Sequence, residues 1–398
     1  MNRYAASLHN RWTLAAAAVL VGILAITVLS GSRPRNAIEA ASAWAPHFAT
    51  NRIADVLGPI AEHLEEGAFP GAAVAFGVGD DEVYAFGMGA IGWTRNAAAV
   101  DPGATRYDLA SLTKVVATAS AVMLLVDEGR MSLDDPVSLY LSNFDAGPKA
   151  AVTIRHLLSH TSGLPEGAVL RGRTRGEKLE RATKLGVYPP AGARVAYSDV
   201  GYVLLWEAAE RAAGEPLPAY LRRRLFEPLA MHATGFSPGL ACEECAPTGR
   251  LRDQSLYRGK PFDPIAQDLG GIAGNAGLFS TASDLARFAA MIANGGDLHG
   301  ARILSEEVVR EFTTPPPGGD FALGWEVRCT EAPAEAEADA GCFTARWIGH
   351  TGWTGTFIAV DPVTRVWLVL LTNRTYEPKA PNRLPELRRE VFARAASR

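Results

Sequence analysis

The chain has 398 residues, 48% of them hydrophobic, 21% charged and 8% aromatic, which excludes a disordered, collagenous or coiled-coil protein and leaves room for one large domain or two intertwined ones. A net charge of -4, with the cations scattered along the chain, argues against nucleic acid as a partner. Of the 39 basic residues only six are lysines, Lys114, Lys149, Lys178, Lys184, Lys260 and Lys379, so each lysine is worth locating.

In chain order, residues 1–11 read as a cationic tail and residues 12–32 as a 21-residue run without charge, WTLAAAAVLVGILAITVLSGS. At about 1.5 Å per residue the run reaches across a hydrocarbon layer of about 30 Å, which predicts a membrane anchor or a secretory signal peptide with the bulk of the chain exported. Residues 33–47 form a linker. A folded domain is expected over 48–398. It opens with an amphipathic helix over 48–66, on which Ile53, Val56, Leu57, Ile60 and Leu64 recur at helical spacing. Two strands around Gly79-Asp80-Asp81 follow as a hairpin.

From about 109 to 312 the pattern is mainly helical, with helices in LTKVVATASAVMLLVDEGRM, IRHLLSH, VGYVLLWEAAERAAG and TASDLARFAAMIANGG. Strand character returns in FALGWEVR, ARWIGHTG, TGTFIAVDP and VWLVLLTNR, before a last helix over 384–396. Strands at both ends around inserted helices imply one sheet built from the two ends and flanked by helices. A second, helical lobe of 111–319 would face an α/β lobe of 48–110 and 320–398 across a cleft.

All four cysteines fall in the exported part, where disulfides are permitted. Cys329 and Cys342 bracket an acidic loop and are expected to staple its base. Cys242 and Cys245 form a C-x-x-C that reads as a tight disulfide, a redox pair or half a metal site, although no second C-x-x-C or nearby His completes a tetrahedral set. His156 and His160 stand four apart on a helix, and packing or capping is the expectation for them. Gly270, Gly271, Gly274 and Gly277 read as a loop lining the cleft rather than a phosphate cradle, because no strand leads in and no Lys-Ser/Thr follows. No metal site or cofactor is expected.

The scarce lysine Lys114 lies in Ser111-Leu112-Thr113-Lys114 at the opening of a helix, where residues three apart share a face. A serine there also profits from the positive end of the helix dipole. Tyr197-Ser198-Asp199 stands at the start of the VGYVLLWEAAERAAG helix, and His350-Thr351-Gly352 near the end of a strand with Trp353 beyond. In this order and spacing the three triplets resemble the active-site motifs of the penicillin-recognising serine hydrolases, that is, class C β-lactamases, D-Ala-D-Ala carboxypeptidases and related serine esterases. LASLTKVVAT, IRHLLSHTSGLP, YSDVGYVLL and GNAGLFSTASDLARF match as well, and the resemblance covers about residues 50–395.

The resemblance implies a β-lactamase/transpeptidase-like α/β fold with an antiparallel sheet and a helical lobe. Ser111 would be the acylated nucleophile, Lys114 its proton acceptor, and Tyr197 the general base or relay. The oxyanion would lie between the N–H groups of Ser111 and Trp353, with Asp199, His350, Thr351 and Gly352 on the substrate-binding side.

Two departures bear on substrate. His350 stands where typical β-lactamases carry Lys. Asp199 stands where Asn is common, and an ionised carboxylate only accepts, holds a nearby lysine protonated and repels an anionic ligand. A peptidase or esterase acting on a cell-wall peptide or simple ester is therefore favoured over an efficient β-lactamase. A weak β-lactamase and a sensor without turnover are the alternatives. The sequence leaves the oligomeric state open.

Overall fold

A computed structural model of the protein describes residues 47–316, 319, 321–329 and 346–397. The expected anchor, the linker and Cys342 lie outside the described residues. Among the described residues, the one helical run apolar and long enough to cross a membrane, Ala110–Asp127, is largely buried and forms the core of the helical lobe.

Helix α1 (His47–Glu65) leads into the hairpin β1 (Gly71–Val78) and β2 (Glu82–Gly89), paired antiparallel from Gly71↔Gly89 to Val78↔Glu82. After the helical insertion come β3 (Glu326–Cys329), β4 (Arg346–Thr351), β5 (Phe357–Val360) and β6 (Val366–Thr372). These six strands form one antiparallel sheet in the order β3-β4-β5-β6-β1-β2, so β6 joins β1 across the whole insertion, with Ala72 opposite Thr372.

Strands β1 and β6 read as continuous apolar runs because both faces of the sheet are covered. Val74, Phe76, Leu368 and Leu370 point to one side and share a core with Val56 and Ile60 of α1 and with Leu387 and Val391 of α7 (Leu384–Ala396). Ala73, Ala75, Val369 and Leu371 point to the other side and merge with the core of the helical lobe. The sheet from both ends of the domain, flanked by helices, is the fold that the patterning predicts.

In the helical lobe, α2 (Ser120–Asp127) continues the helix that begins at Ser111 and closes at Gly129, whose φ is +66°. The buried α4 (Asp199–Ala213) packs beside it, and the short α3 (Ile154–Leu158) packs on α4; α4 ends on Gly214 in the left-handed region, the usual C-terminal stop. Further along are α5 (Pro264–Asp268) and α6 (Ala282–Ala293), the latter capped by Thr281 and packed on β6.

This stretch is less uniformly helical than the patterning predicts. Tyr107–Asp108, Leu278–Ser280 and Gly235–Phe236 make a small three-stranded sheet, and two further two-residue hairpins occur. Strands this short carry no readable alternation.

Candidate active site

Ser111 sits in a single tight turn, Ala110–Leu112, followed by a widened π-helical turn, Lys114–Ala119, that runs into α2. In the first turn of a helix the N–H groups have no intrahelical acceptor, which frees that of Ser111. Ala110 holds φ at +46°, a left-handed conformation that costs a non-glycine residue about 1–3 kcal/mol.

Lys114 is the only buried lysine of the six, with no exposed surface. Its Nζ donates to Ser111 Oγ at 3.0 Å, to Asp199 Oδ1 at 2.6 Å and to the carbonyl of Asn275 at 3.2 Å. It also lies 4.8 Å from the centre of the Tyr197 ring. The first two motifs thus meet on one ammonium group.

Their placement follows from local capping. Ser198 caps α4 by accepting from the Gly201 N–H at 2.9 Å, which sets Asp199 as the first helical residue and Tyr197 just outside. His160 lies beneath. Its ring stacks on Tyr197 with centroids 4.4 Å apart, and its Nδ1 accepts from the Ser198 N–H at 3.0 Å. His156 caps α3 in a reciprocal pair with Thr153. Both histidines therefore serve packing and capping.

The third motif ends β4. Thr351, Gly352 and Trp353 line a cavity of about 470 Å³ together with Ser111, Tyr197 and Asp199, and Trp353 is 73% exposed at its edge. His350 does not line it; the ring is buried behind Tyr197, with centroids 6.3 Å apart. Its Nδ1 meets the Thr351 carbonyl at 2.9 Å, and since a carbonyl only accepts, Nδ1 carries the proton.

Gly352 is required by close approach: a Cβ there would stand 2.0 Å from Thr356 Oγ1 and 2.5 Å from the Leu109 carbonyl. Thr354 Oγ1 donates to the Asp108 carbonyl at 2.7 Å and Thr356 Oγ1 to that of Leu109 at 3.0 Å, which ties this loop to the serine turn. From α7, Arg388 Nη2 donates to the carbonyls of Gly352 at 3.1 Å and Thr356 at 2.9 Å.

The electrostatics are set by burial and by the ammonium. Burial alone would lower the pKa of Lys114, but the Tyr197 oxygen and the Asp199 carboxylate outweigh it, so the net shift is upward. Tyr197 is raised by burial, with Lys114 pulling it back. His160 is pushed well below the ordinary histidine value by burial and by Lys114, and His350 is also lowered, chiefly by burial. Both imidazoles are neutral at pH 7. Burial lowers Arg388 to about 10.

The structure brings Ser111, Lys114, Tyr197, Asp199, Thr351, Gly352 and Trp353 together around one cleft. Cys242 and Cys245 are bonded to each other, as the tight-disulfide reading requires and as an oxidised redox pair would also be. The glycine loop lies against the cleft as expected: Ala276 lines the cavity, and a Cβ on Gly274 would stand 2.0 Å from the Tyr202 carbonyl. Asn275, Asp263, Arg374 and Arg388 also belong to the site or its walls and are not apparent from motif spacing. The glycines flanking Asn275 are the one signal that could have pointed to it. Among the described residues there is no group of His, Cys, Asp and Glu able to hold a metal ion.

An antiparallel sheet flanked by helices, with a serine lining the cavity and a buried lysine beside it, is the arrangement of a serine hydrolase. Residues 59–393 match the family described as Beta-lactamase, and the chain belongs to that family. Among its relatives, a protein of Escherichia coli K12 provisionally named D-alanyl-D-alanine carboxypeptidase is 32% identical over 317 residues, covering 71% of this chain and 72% of that protein. A Salmonella schwarzengrund protein with the same name is 31% identical over 321 residues, covering 72% and 73%. Among solved structures, an octameric penicillin-binding protein homologue from Pyrococcus abyssi matches with a TM-score of 0.64 at 26% identity, over 81% of this chain and 73% of that one.

Proposed function

We propose that the protein is a cell-envelope D-Ala-D-Ala carboxypeptidase-like peptidase that forms an acyl-enzyme on Ser111. The observation that carries this reading is the 3.0 Å contact between Ser111 Oγ and Lys114 Nζ, made inside a buried cluster that opens onto the cavity. The names of the relatives support the substrate class. So does Arg374, which lines the cavity and has no carboxylate partner among the described residues, as a subsite for a substrate carboxylate would require. The Cys242–Cys245 disulfide and the expected segment 12–32 support an extracytoplasmic domain, anchored or secreted.

In this reading Ser111 Oγ attacks the carbonyl of the penultimate D-Ala. Its proton passes to the Tyr197 oxygen in its ionised form, the minor species that the Lys114 ammonium favours against burial and Asp199, and the oxyanion is held by the N–H groups of Ser111 and Trp353. Tyr197 then returns the proton to the leaving amine, and the same group activates the water that cleaves the ester. Asp199 keeps Lys114 charged, which assigns the base to Tyr197.

Incubation with a D-Ala-D-Ala peptide should release D-Ala, and both a fluorescent penicillin and a fluorophosphonate should label Ser111, with all three lost in Ser111→Ala. Labelling by the fluorophosphonate alone assigns an esterase, and folded wild type that neither probe labels sinks the acyl-enzyme. The Lys114–Asp199 ion pair favours a second reading, a sensor that is acylated once and does not turn over. A penicillin adduct that persists for hours without D-Ala release distinguishes it.

A further inference from the structure

Three residues before Ser111, Asp108 is 2% exposed and belongs to none of the three motifs. Both carboxyl oxygens accept from backbone: Oδ1 from the Ala110 N–H at 3.0 Å and Oδ2 from the Phe262 N–H at 2.7 Å. Its own carbonyl accepts from Thr354 Oγ1 at 2.7 Å. Two of these partners, Ala110 and Phe262, line the cavity, and the third stands next to Trp353, which also lines it. Ala110 is the left-handed residue immediately before Ser111, Phe262 belongs to a distant part of the chain, and Thr354 follows Trp353 in the oxyanion loop.

We propose that Asp108 is the positioning residue of the nucleophile turn: its buried carboxylate, by accepting from Ala110 and Phe262 at once, aims Ser111 and ties Phe262 to its turn. Two N–H donors converging on two oxygens fit the ionised carboxyl. A protonated one would turn an O–H toward a donor and leave that N–H without an acceptor. No ion pair to Asp108 is present among the described residues. The titratable groups facing it are the Asp263 carboxyl, from the start of α5, and the Tyr257 phenol, whose hydroxyl donates to the Pro261 carbonyl at 2.8 Å.

Burial raises the Asp108 carboxyl to about 7 against the two N–H bonds that favour its charge, and the Asp263 carboxyl adds to the rise. The turn therefore changes state near neutrality. The sign follows from the raised value: the native state binds this proton more tightly than the unfolded chain, so Asp108 withdraws stability as pH rises from about 4 to about 7 while the serine turn is being set.

The proposal rests on Ser111 being the nucleophile, not on the leaving group, so the probe is a fluorophosphonate and the reading is its second-order labelling rate on the full-length protein between pH 5.5 and 8.5. Ser111→Ala must abolish labelling; if it does not, it is the reading of Ser111 that fails. Wild type should lose at least roughly tenfold in rate from pH 8 to 5.5 with a midpoint near 7, since a reacting group displaced by about 1 Å costs about a hundredfold. Asp108→Asn should be roughly 10- to 100-fold slow at pH 8 with that midpoint gone, and its melting temperature should lose the decline between pH 4 and 7. Thr354→Val, which leaves the carboxylate in place, should keep the midpoint. A folded Asp108→Asn within twofold of wild type at pH 8, or one that retains the midpoint, overturns the proposal. If that variant does not fold, the wild-type profile decides: a flat rate from pH 5.5 to 8.5 overturns it equally.

Discussion

Replacing Asp199 by asparagine tests the electrostatic logic of the site most directly. Lys114 Nζ donates to Asp199 Oδ1 at 2.6 Å; the lysine is fully buried, while the Asp199 side chain retains 22% of its surface. The Asp199 charge also raises Tyr197, the proposed base, and removing a charge interaction of about 1.5–3 kcal/mol makes the Tyr197 phenolate more accessible by that amount. At about 1.4 kcal/mol per tenfold, the fraction of Tyr197 able to take a proton rises roughly 10- to 100-fold. The amide also gains an N–H donor for a substrate carbonyl and no longer repels the carboxylate of a penicillin. The second-order rate of acylation by a fluorescent penicillin at pH 7 should therefore rise about 10- to 100-fold, with the adduct on Ser111 by peptide mapping. Stability should fall, because Lys114 keeps its burial and loses its counter-charge. An unchanged or slower acylation in a folded variant would show that the Asp199 charge does not hold Tyr197 in its protonated form.

Three further outcomes follow from the same geometry. Gly352→Ala places a methyl group 2.0 Å from Thr356 Oγ1 and 2.5 Å from a backbone carbonyl, which should cost about 1–3 kcal/mol in denaturant unfolding and slow Ser111 acylation as the oxyanion loop moves; a variant with wild-type values for both refutes the close approach. Because the folded-state pKa of Lys114 is raised, its pairing contributes stability that is fully present below the ordinary lysine value of about 10.4 and is lost as pH rises through the folded value. An alkaline melt should show that limb in wild type and lack it in Lys114→Met. Cys242→Ser with Cys245→Ser should lower unfolding free energy by about 2 kcal/mol, the loop-closure value for so short a ring, with the acylation rate nearly unchanged; loss of labelling in a folded double variant would mean that the disulfide also shapes the site.

The parts of the fold and site that were legible are those whose cause is local. Ser111 and Lys114 share one helical turn, Ser198 caps the helix that presents Asp199, and β1 and β6 announce themselves as unbroken apolar runs. What the sequence hid acts through backbone groups or across long separations. Asn275 reaches Lys114 through its carbonyl, which any residue carries, and Arg388 braces the Gly352–Thr356 loop from a helix 36 residues beyond Gly352. Asp108 acts by accepting from main-chain N–H groups, so neither its type nor its spacing marks it. His350 was legible as a motif residue without the fixed charge of a lysine, but only the fold reveals that its ring is buried and does not line the cavity.

The pairing of β1 with β6 has a consequence for biosynthesis. Ala72 and Thr372 are neighbours in the sheet, yet 300 residues separate them in the order in which the chain is made. A growing polypeptide carries Ser111 and Lys114 long before β4, the Gly352–Thr356 loop and α7 exist, so the proposed nucleophile is present early without the walls that would make it reactive. An acylating drug meets a competent site only after residues up to about 392 have emerged and closed the sheet. Cells shifted to block synthesis should therefore show labelled protein of full length only, with no ladder of trapped nascent chains.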